Sequence, residues 1–434
     1  MPSVRNVAHG ILLAAAAAAA ACAAAPALAP PPGAAAPAAS PAELDFPRPS
    51  ARPRAAGSVR GPAQRVPGSP RLFLDTQRDT AEDGPLRIHF VDVGQGDATI
   101  FELPCGLVLA DTGGESIGDF SSTERLAAYL DELFDRRTDL ARTIDLLILT
   151  HQHIDHTRGA ERMRSDFTLR RVADNGQDRQ SSGSAQQNAL RQWALDNGVE
   201  YLPIRAAEIE LVDPEENHMG SAHVAPLTPI APCGPSPLAV EITFLWGDAG
   251  TTAGEFSNAN NSSVAFRVDW GDASALLTGD LEQAGIERLI EKYGGATELL
   301  DADVFQVGHH GSHNATTEDL VDLITPKLAV FSAGDPARRE GTFNAFRFAH
   351  PNHKALRILD DPWRGVACGR DPVDVPVGIK GASPSKPPVW ELWTLESGLF
   401  STGWDGDVVV EALSNGNLAI TTREQGDQTG LACP

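Results

Sequence analysis

The densest group of chemically capable residues is the run Thr150-His151-Gln152-His153-Ile154-Asp155-His156. It follows Ile144-Asp145-Leu146-Leu147-Ile148-Leu149, an apolar stretch that reads as a buried strand. Side chains alternate along extended backbone, so His151 and His153 point to one side. Asp155 and His156 come after the bend and face a second point. Imidazole plus carboxylate is a ligand set for zinc, or for manganese or iron. The geometry suits two adjacent divalent ions. The plain alternative is a solvated loop with chance histidines, and four ligand-type residues at this spacing argue against it.

More such residues sit where other apolar runs end. Ala275-Leu276-Leu277-Thr278-Gly279 leads to Asp280. A carboxylate there can contact two cations and offset their repulsion, so Asp280 is the expected bridging ligand. Asp303-Val304-Phe305-Gln306-Val307 leads to His309 and His310. Neighbours on a strand point to opposite sides, so one of the two is expected to bind directly. Asp97 lies at the turn Gly94-Gln95-Gly96, and Asp111 ends the run from Gly106.

The elements around these residues are legible. Leu86 to Val93 alternates, turns on glycine and returns through Ala98 to Leu103, an antiparallel start to a sheet. Ser121-Ser122-Thr123-Glu124 is a capping box for a helix with Leu126, Leu130 and Leu133 on one face. The metal strand follows, giving a β-β-α-β order. Ser184-Ala185-Gln186-Gln187 reads as a second capping box, with Trp193 packed behind it. Residues 160–240 read as an insertion, with a proline-rich surface loop over 212–238 as a candidate lid. Val240 to Trp246 opens the second half. Residues 370–388 read as a Pro/Gly-rich insertion, and Val408–Ala412 with Leu418–Thr421 as a closing hairpin over Asn415-Gly416.

Taken together, H-x-H-x-D-H, Val91-Asp92-Val93-Gly94-Gln95-Gly96-Asp97-Ala98, Leu277-Thr278-Gly279-Asp280 and Val307-Gly308-His309-His310-Gly311-Ser312 resemble the metallo-β-lactamase superfamily. Within it they are similar to the hydrolase domain of ComEC-type DNA-uptake proteins and their stand-alone relatives. The resemblance runs from about Leu86 to about Ile420. It implies an α/β (α+β) fold, the αββα metallo-β-lactamase-like sandwich. It also implies that Asp97 lies beside the metal centre and supports a ligand, and the same reading applies to Asp111. Each could instead be a turn aspartate bonding its own backbone. Many superfamily members place a third histidine before the bridging aspartate, and this chain has no clear equivalent. Asn260-Asn261-Ser262-Ser263 matches an N-N-S-S-like segment of the relatives, so Asn261 and Ser262 are expected to donate to a phosphoryl oxygen or to serve a turn. His350-Pro351-Asn352 resembles the family's H-P-S motif, with asparagine in place of serine. His350 is then expected to touch the phosphoryl group or protonate a leaving oxygen, and Ser312 to touch substrate.

The implied activity is that of a two-metal hydrolase. His151, His153 and Asp280 would hold one ion, and Asp155, His156, Asp280 and His309 or His310 the other. Asp155 and His350 are the expected catalytic residues. Two such ions lower the pKa of a shared water to near neutrality. The competence-type resemblance favours a phosphodiester, in nucleic acid or in an envelope phosphoester. The rivals are a lactam, lactone or thioester hydrolase at the same site and a metal-stabilised binding protein without turnover.

Composition sets bounds. The net charge of −23 excludes a molecule that is basic overall, so no stable nucleic-acid partner is expected. Hydrophobic residues make up 42% of the chain, enough for a real core. Residues 1–29 read as an export signal, with Arg5 as charged flank and Ile11 to Ala21 as apolar core. Ala27-Leu28-Ala29 has the form of ordinary cleavage, whereas Ala20-Ala21-Cys22 resembles a lipoprotein box that would attach Cys22 to a membrane. The protein is therefore expected to be periplasmic, a surface lipoprotein or secreted. Residues 30–70 are too rich in Ala and Pro to fold and read as a linker to a hydrolase domain over 71–434. No later run is long and apolar enough for a channel helix. Cys105 with Cys233 and Cys368 with Cys433 are the expected disulfides, with buried thiols as the alternative.

Overall fold

In the computed structural model, the first strands form because their apolar residues alternate between two faces that are both covered. The residues described are 84–178, 180–211, 222–223, 227–232, 238–250, 255–293, 296–423 and 426–427. The expected export signal, the linker, Cys22, Cys233 and Cys433 lie outside them. The chain begins with β1 (Leu86–Phe90), β2 (Thr99–Leu103) and β3 (Gly106–Ala110), an antiparallel meander. Helix α1 (Ser122–Arg136) follows, and Ser121 caps it by accepting from the Glu124 amide. Then comes β4 (Leu146–Leu149), parallel to β3, and the short turn of helix α2 (Ile154–Thr157).

The stretch expected to be an insertion is partly built into this sheet. After α3 (Ala160–Asp166), β5 (Arg171–Asp174) pairs in parallel with β4. After α4 (Ser184–Asp196), β6 (Glu200–Pro203) pairs in parallel with β5. The expected Ser184 cap is not formed. Gly183 takes the cap position, and the Ser184 hydroxyl donates to the Ser181 carbonyl instead. Most of the proline-rich stretch beyond Leu211 lies outside the described residues.

The second sheet starts with β7 (Glu241–Trp246), β8 (Ala265–Trp270) and β9 (Ala273–Leu277), which are antiparallel. Helix α5 (Gln283–Tyr293), β10 (Val304–Gln306), α6 (Glu318–Ile324) and β11 (Leu328–Phe331) continue it with parallel pairing. Helices α7 (Ala345–Phe348) and α8 (His353–Leu359) then precede a difference from expectation. The Pro/Gly-rich segment is a long hairpin, β12 (Gly369–Lys380) with β13 (Val389–Ser397), paired apart from both sheets. Next, β14 (Leu399–Ser401) joins β11. Finally β15 (Val408–Ala412) and β16 (Leu418–Thr422) form the expected hairpin, and β15 pairs with β1.

Among the described residues the two large sheets have nine and six strands. Leu86, Ile88, Phe90, Phe101 and Val108 of the first sheet share one core with Phe244, Phe266, Leu277 and Val330 of the second. Phe101 meets Phe266 edge-on across the gap, with ring centroids 6.3 Å apart. The other face of the first sheet, with Ile100, Leu107, Leu109, Leu147 and Leu149, packs on Leu126, Leu130, Leu133 and Leu190 of the helices. On the far side of the second sheet lie Ile286, Leu289, Leu320 and Leu356. Period-2 alternation with both faces apolar thus gives the four layers, because each sheet has two faces to cover. Cys105 and Cys368 are both disulfide-bonded, so the thiol alternative does not hold for them.

Candidate metal centre

The site lies where strands of both sheets end. After β4 come His151 and His153, and after β9 comes Asp280. After β10 come His309 and His310, after β3 comes Asp111, and beyond β1 comes Asp97. Asp280 is the hub. Its Oδ2 lies 3.8 Å from His151 Nε2, 3.3 Å from His156 Nε2, 3.7 Å from His309 Nε2 and 3.7 Å from His310 Nε2. His151 Nε2 is 2.9 Å from His153 Nδ1, so the alternating pair converges as its spacing implies. Asp155 Oδ2 lies 3.2 Å from His310 Nε2.

The orientation of each imidazole is set from behind. Asp111 Oδ2 accepts from His156 Nδ1 at 2.8 Å and from the Thr150 hydroxyl at 2.7 Å, while its Oδ1 accepts from the Thr150 amide. That fixes the His156 proton on Nδ1 and turns the Nε2 lone pair toward Asp280. His310 does the same, since its Nδ1 donates to the Ser332 carbonyl at 2.8 Å. Asp97 groups with His156, Asp280 and His310 by distance. Yet it reaches both rings from the Nδ1 edge, at 3.7 and 3.8 Å, and accepts from Gln306 Nε2 at 2.9 Å. It stands behind the imidazoles rather than among the lone pairs.

These atoms fit a divalent cation. His156 Nε2 and Asp280 Oδ1 are buried with no hydrogen-bond partner in the protein, a cost that a bound cation would remove. His151, His153 and Asp280 form one group of potential ligands, and His156, His310 and Asp280 fall in another. The electrostatics agree. Burial opposes charge on Asp280, but His156, His310 and His309 hold its carboxyl well below the usual range. Burial also opposes charge on His310, yet Asp280, Asp97 and Asp155 raise it to about 9. Carboxylate charge thus dominates the pocket and favours a cation.

Backbone closeness explains the glycines. A side chain on Gly114 would overlap the Asp155 backbone, and one on Gly96, at φ +153°, would strike the Asp155 carbonyl. The Asp97 amide donates to that same carbonyl at 3.0 Å. The Gly-Gln-Gly-Asp and Thr-Gly-Gly turns therefore cradle the turn that carries Asp155.

A cavity of about 250 Å³ opens over the cluster, lined by His153, Asp155, Asp280, His309, His310 and His350 together with Gln95, Ser182, Asn260, Phe343 and Phe348. His350 Nδ1 is 3.4 Å from Gln95 Nε2. His309 is the more exposed of the two adjacent histidines and faces Glu282, 3.6 Å from its Nδ1. The expected substrate residues are placed differently. Asn261 Oδ1 accepts from the Glu282 and Gly285 amides at the start of α5. The Ser262 hydroxyl accepts from Gln177 Nε2, and the Ser312 hydroxyl donates to Asn314. None of the three lines the cavity. A 3₁₀ turn over Ala259–Ser262 presents Asn260 there instead, with its Nδ2 donating to Glu282. Gln95, Ser182, Phe343 and Phe348 were not legible, because they come from turns and loops or, for Phe348, from a single-turn helix too short to show periodicity.

A sandwich with a His/Asp cluster at the strand ends defines a class of metal-dependent hydrolase. The sequence profile of the metallo-beta-lactamase superfamily matches residues 91–335, and the chain belongs to that superfamily. It is 27% identical over 286 residues to ComE operon protein 3 of Bacillus subtilis (strain 168), which covers 63% of this chain and 30% of that protein. It is 40% identical over 75 residues to Competence protein ComA of Neisseria gonorrhoeae, covering 17% of this chain and 10% of that protein. The chain thus spans less than a third of the length of these relatives. Among solved structures it is similar to Igni18, a metallo hydrolase of Ignicoccus hospitalis, with a TM-score of 0.33 and 11% identity over 71% of this chain and 98% of that one. No helix among the described residues is long and apolar enough to cross a membrane.

Proposed function

We propose that the protein is an exported two-metal phosphodiesterase. The observation that carries the reading is the convergence of His151, His153, His156 and His310 on Asp280, with Asp155 against His310, beneath an open cavity. His151, His153 and Asp280 are assigned to one ion, and Asp155, His156, His310 and Asp280 to the other. Zinc fits the imidazole and carboxylate donors, as do manganese and iron. When bound, such ions supply a nucleophile from water at neutral pH and draw charge from the scissile oxygen. The chain's own part is orientation. Asp111 and the Ser332 carbonyl aim the imidazoles, and Asp97 steadies them from behind. His350 stands across the cavity, hydrogen-bonded to Gln95, where it can meet a leaving oxygen. His309 takes the open side.

Export, either by cleavage after Ala27-Leu28-Ala29 or with Cys22 as a lipid attachment point, belongs to the same reading. The similarity to competence proteins favours a phosphodiester of nucleic acid or of the envelope, and the acidic net charge favours a substrate reached at the metals over a stably held nucleic-acid partner.

One observation favours a second reading, hydrolysis of a lactone, lactam or thioester. Asn261, Ser262 and Ser312 are engaged inside the fold, while two phenylalanines line the cavity. The deciding test is hydrolysis of bis(p-nitrophenyl) phosphate by the zinc- or manganese-loaded full chain, with chelated protein and Asp155→Ala as controls. Turnover lost in both controls is the expected result. A metal-replete chain that leaves phosphodiesters intact and opens a lactone or thioester would replace it with the second reading.

A further inference from the structure

The cavity has one wall that the metal chemistry does not use. It comes from the segment between β11 and α8. Phe343 and Phe348 project from it, with rings edge-on at 83° and centroids 5.3 Å apart. Phe348 is 39% exposed, and its ring lies 5.8 Å from that of His350. Neither phenylalanine belongs to the two hydrophobic cores or packs against them. They are apolar surface left uncovered by folding, at the mouth of a polar site.

The wall is fixed rather than loose. Asn344 is fully buried; its Oδ1 caps α7 by accepting from the Arg347 amide, and its Nδ2 donates to the Glu340 carbonyl. On the outer side, Phe346 stacks on Trp390 of the β12–β13 hairpin, and Trp390 Nε1 donates to the Phe346 carbonyl. On the inner side, Arg338 Nη1 lies 3.2 Å from Oε1 of Glu115, which is fully buried, and its guanidinium sits 3.8 Å over the Phe120 ring. Glu115 Oε2 in turn accepts from the Gln95 amide at 2.6 Å, and Gln95 reaches His350. One carboxylate therefore ties the aromatic wall to the turn that supports the metal cluster.

We propose that Phe343 and Phe348 form a ledge that receives a planar aromatic substituent of the scissile ester, and that Glu115 with Arg338 is the positioning pair that holds the ledge against the metal centre. The proposal rests on the metal-ester hydrolase reading of the site. Rings held at fixed angles favour a further ring edge-on or offset, with a gain of about tenfold in affinity when two contacts form. Aryl groups and nucleobases share the required planarity.

The test separates binding from turnover. Titration calorimetry on the zinc-loaded full chain compares phenylphosphonate with methylphosphonate, and thymidine 5′-phosphate with deoxyribose 5-phosphate. The wild type should prefer the ring-bearing member of at least one pair about tenfold. A larger preference in the first pair assigns the ledge to aryl esters, and in the second to nucleobases. Phe348→Ala and Phe343→Ala should each bring the preference below about threefold, with affinity for the ring-free member retained. Arg338→Gln should lower it partway and raise KM for aryl esters more than it lowers kcat. A wild-type ratio near one in both pairs, a ratio unchanged in Phe348→Ala, or no binding of any probe overturns the ledge. Failure to hydrolyse any ester, alongside a ring preference that Phe348→Ala removes, overturns the hydrolase reading and leaves the ledge standing.

Discussion

Asp111 is the residue whose replacement tests most directly how the site is built. Its Oδ1 accepts from the Thr150 amide at 2.8 Å, and its Oδ2 accepts from the Thr150 hydroxyl and from His156 Nδ1. In Asp111→Asn, the orientation that keeps the backbone bond leaves the amide nitrogen facing His156. An NH₂ group cannot accept a proton from Nδ1, so the imidazole would move its proton to Nε2. That nitrogen lies 3.3 Å from Asp280 Oδ2 and would donate to it, closing the lone pair to a cation. A hydrogen bond to a charged acceptor contributes about 1.5–3 kcal/mol. Loss of a comparable outer contact costs about 10- to 100-fold in metal affinity. The assay is chelator competition for zinc at fixed pH, with cobalt absorption as an independent count of ligands. Asp97→Asn is the comparator and should lose less, because Asp97 reaches His156 Nδ1 only at 3.7 Å. An Asp111→Asn protein that folds normally and binds zinc within about twofold of wild type would refute the argument that this carboxylate sets the tautomer.

Three further outcomes follow from the same geometry. Gly114→Ala drives a methyl group into the Asp155 backbone, so urea unfolding should show a loss of about 1–3 kcal/mol together with reduced metal content; an unshifted midpoint with full metal would contradict the cradle. Away from the site, burial opposes charge on Glu102, but hydrogen bonds from His89 and Arg137, with the charges of His89 and Arg87, bring its carboxyl from 4.5 down to about 2. The folded value lies below the unfolded one, so this stabilisation is complete above about pH 4.5 and is lost as pH falls toward 2, on the order of 3 kcal/mol. Unfolding followed across that window should show the slope, and Glu102→Gln should flatten it; an equal slope in both proteins counts against the network. Asn261→Ala removes the acceptor for two amides at the start of α5 and should cost about 1 kcal/mol, with kcat/KM on a phosphodiester unchanged. A large drop in kcat/KM at full stability would return Asn261 to the substrate.

The parts of the site that could be read from the sequence are those for which chemistry and strand geometry impose the same spacing. His151 and His153 must be two apart to converge from one edge, and Asp280 and His310 each follow a short, mostly apolar run that marks a strand end. The chain misleads where a turn decides which of two neighbours faces inward. Asn260, Asn261 and Ser262 are equally polar, and only the 3₁₀ turn over Ala259–Ser262 sends the first to the cavity and the second to cap a helix. Likewise His309 and His310 both adopt left-handed backbone, at φ 48° and 54°, which strand alternation does not anticipate. The parallel strands β5 and β6 were hidden for another reason. They are as short as β4, but Arg171-Val172-Ala173-Asp174 and Glu200-Tyr201-Leu202-Pro203 mix charged with apolar residues, and β6 is only partly buried, so neither shows the continuous apolar sequence that marks β4.

The same contrast bears on what the site can recognise. The residues assigned to the ions come from strand ends of the sandwich or, for Asp155 and His156, from the short helix α2 that directly follows β4. Phe343, Phe348 and His350 come from a segment whose position depends on a few side-chain ties, chiefly Glu115 with Arg338 and Asn344 with its own turn. The metal ligands and the aromatic wall, which also carries His350, are therefore built on separate supports that meet at Gln95, whose amide is held by Glu115 and whose side chain reaches His350. A change in the irregular wall can retune which ester is accepted while the metal ligands stay fixed by the strand ends. A change at Glu115 touches both supports at once, and so should alter affinity for the substrate and the position of His350 together.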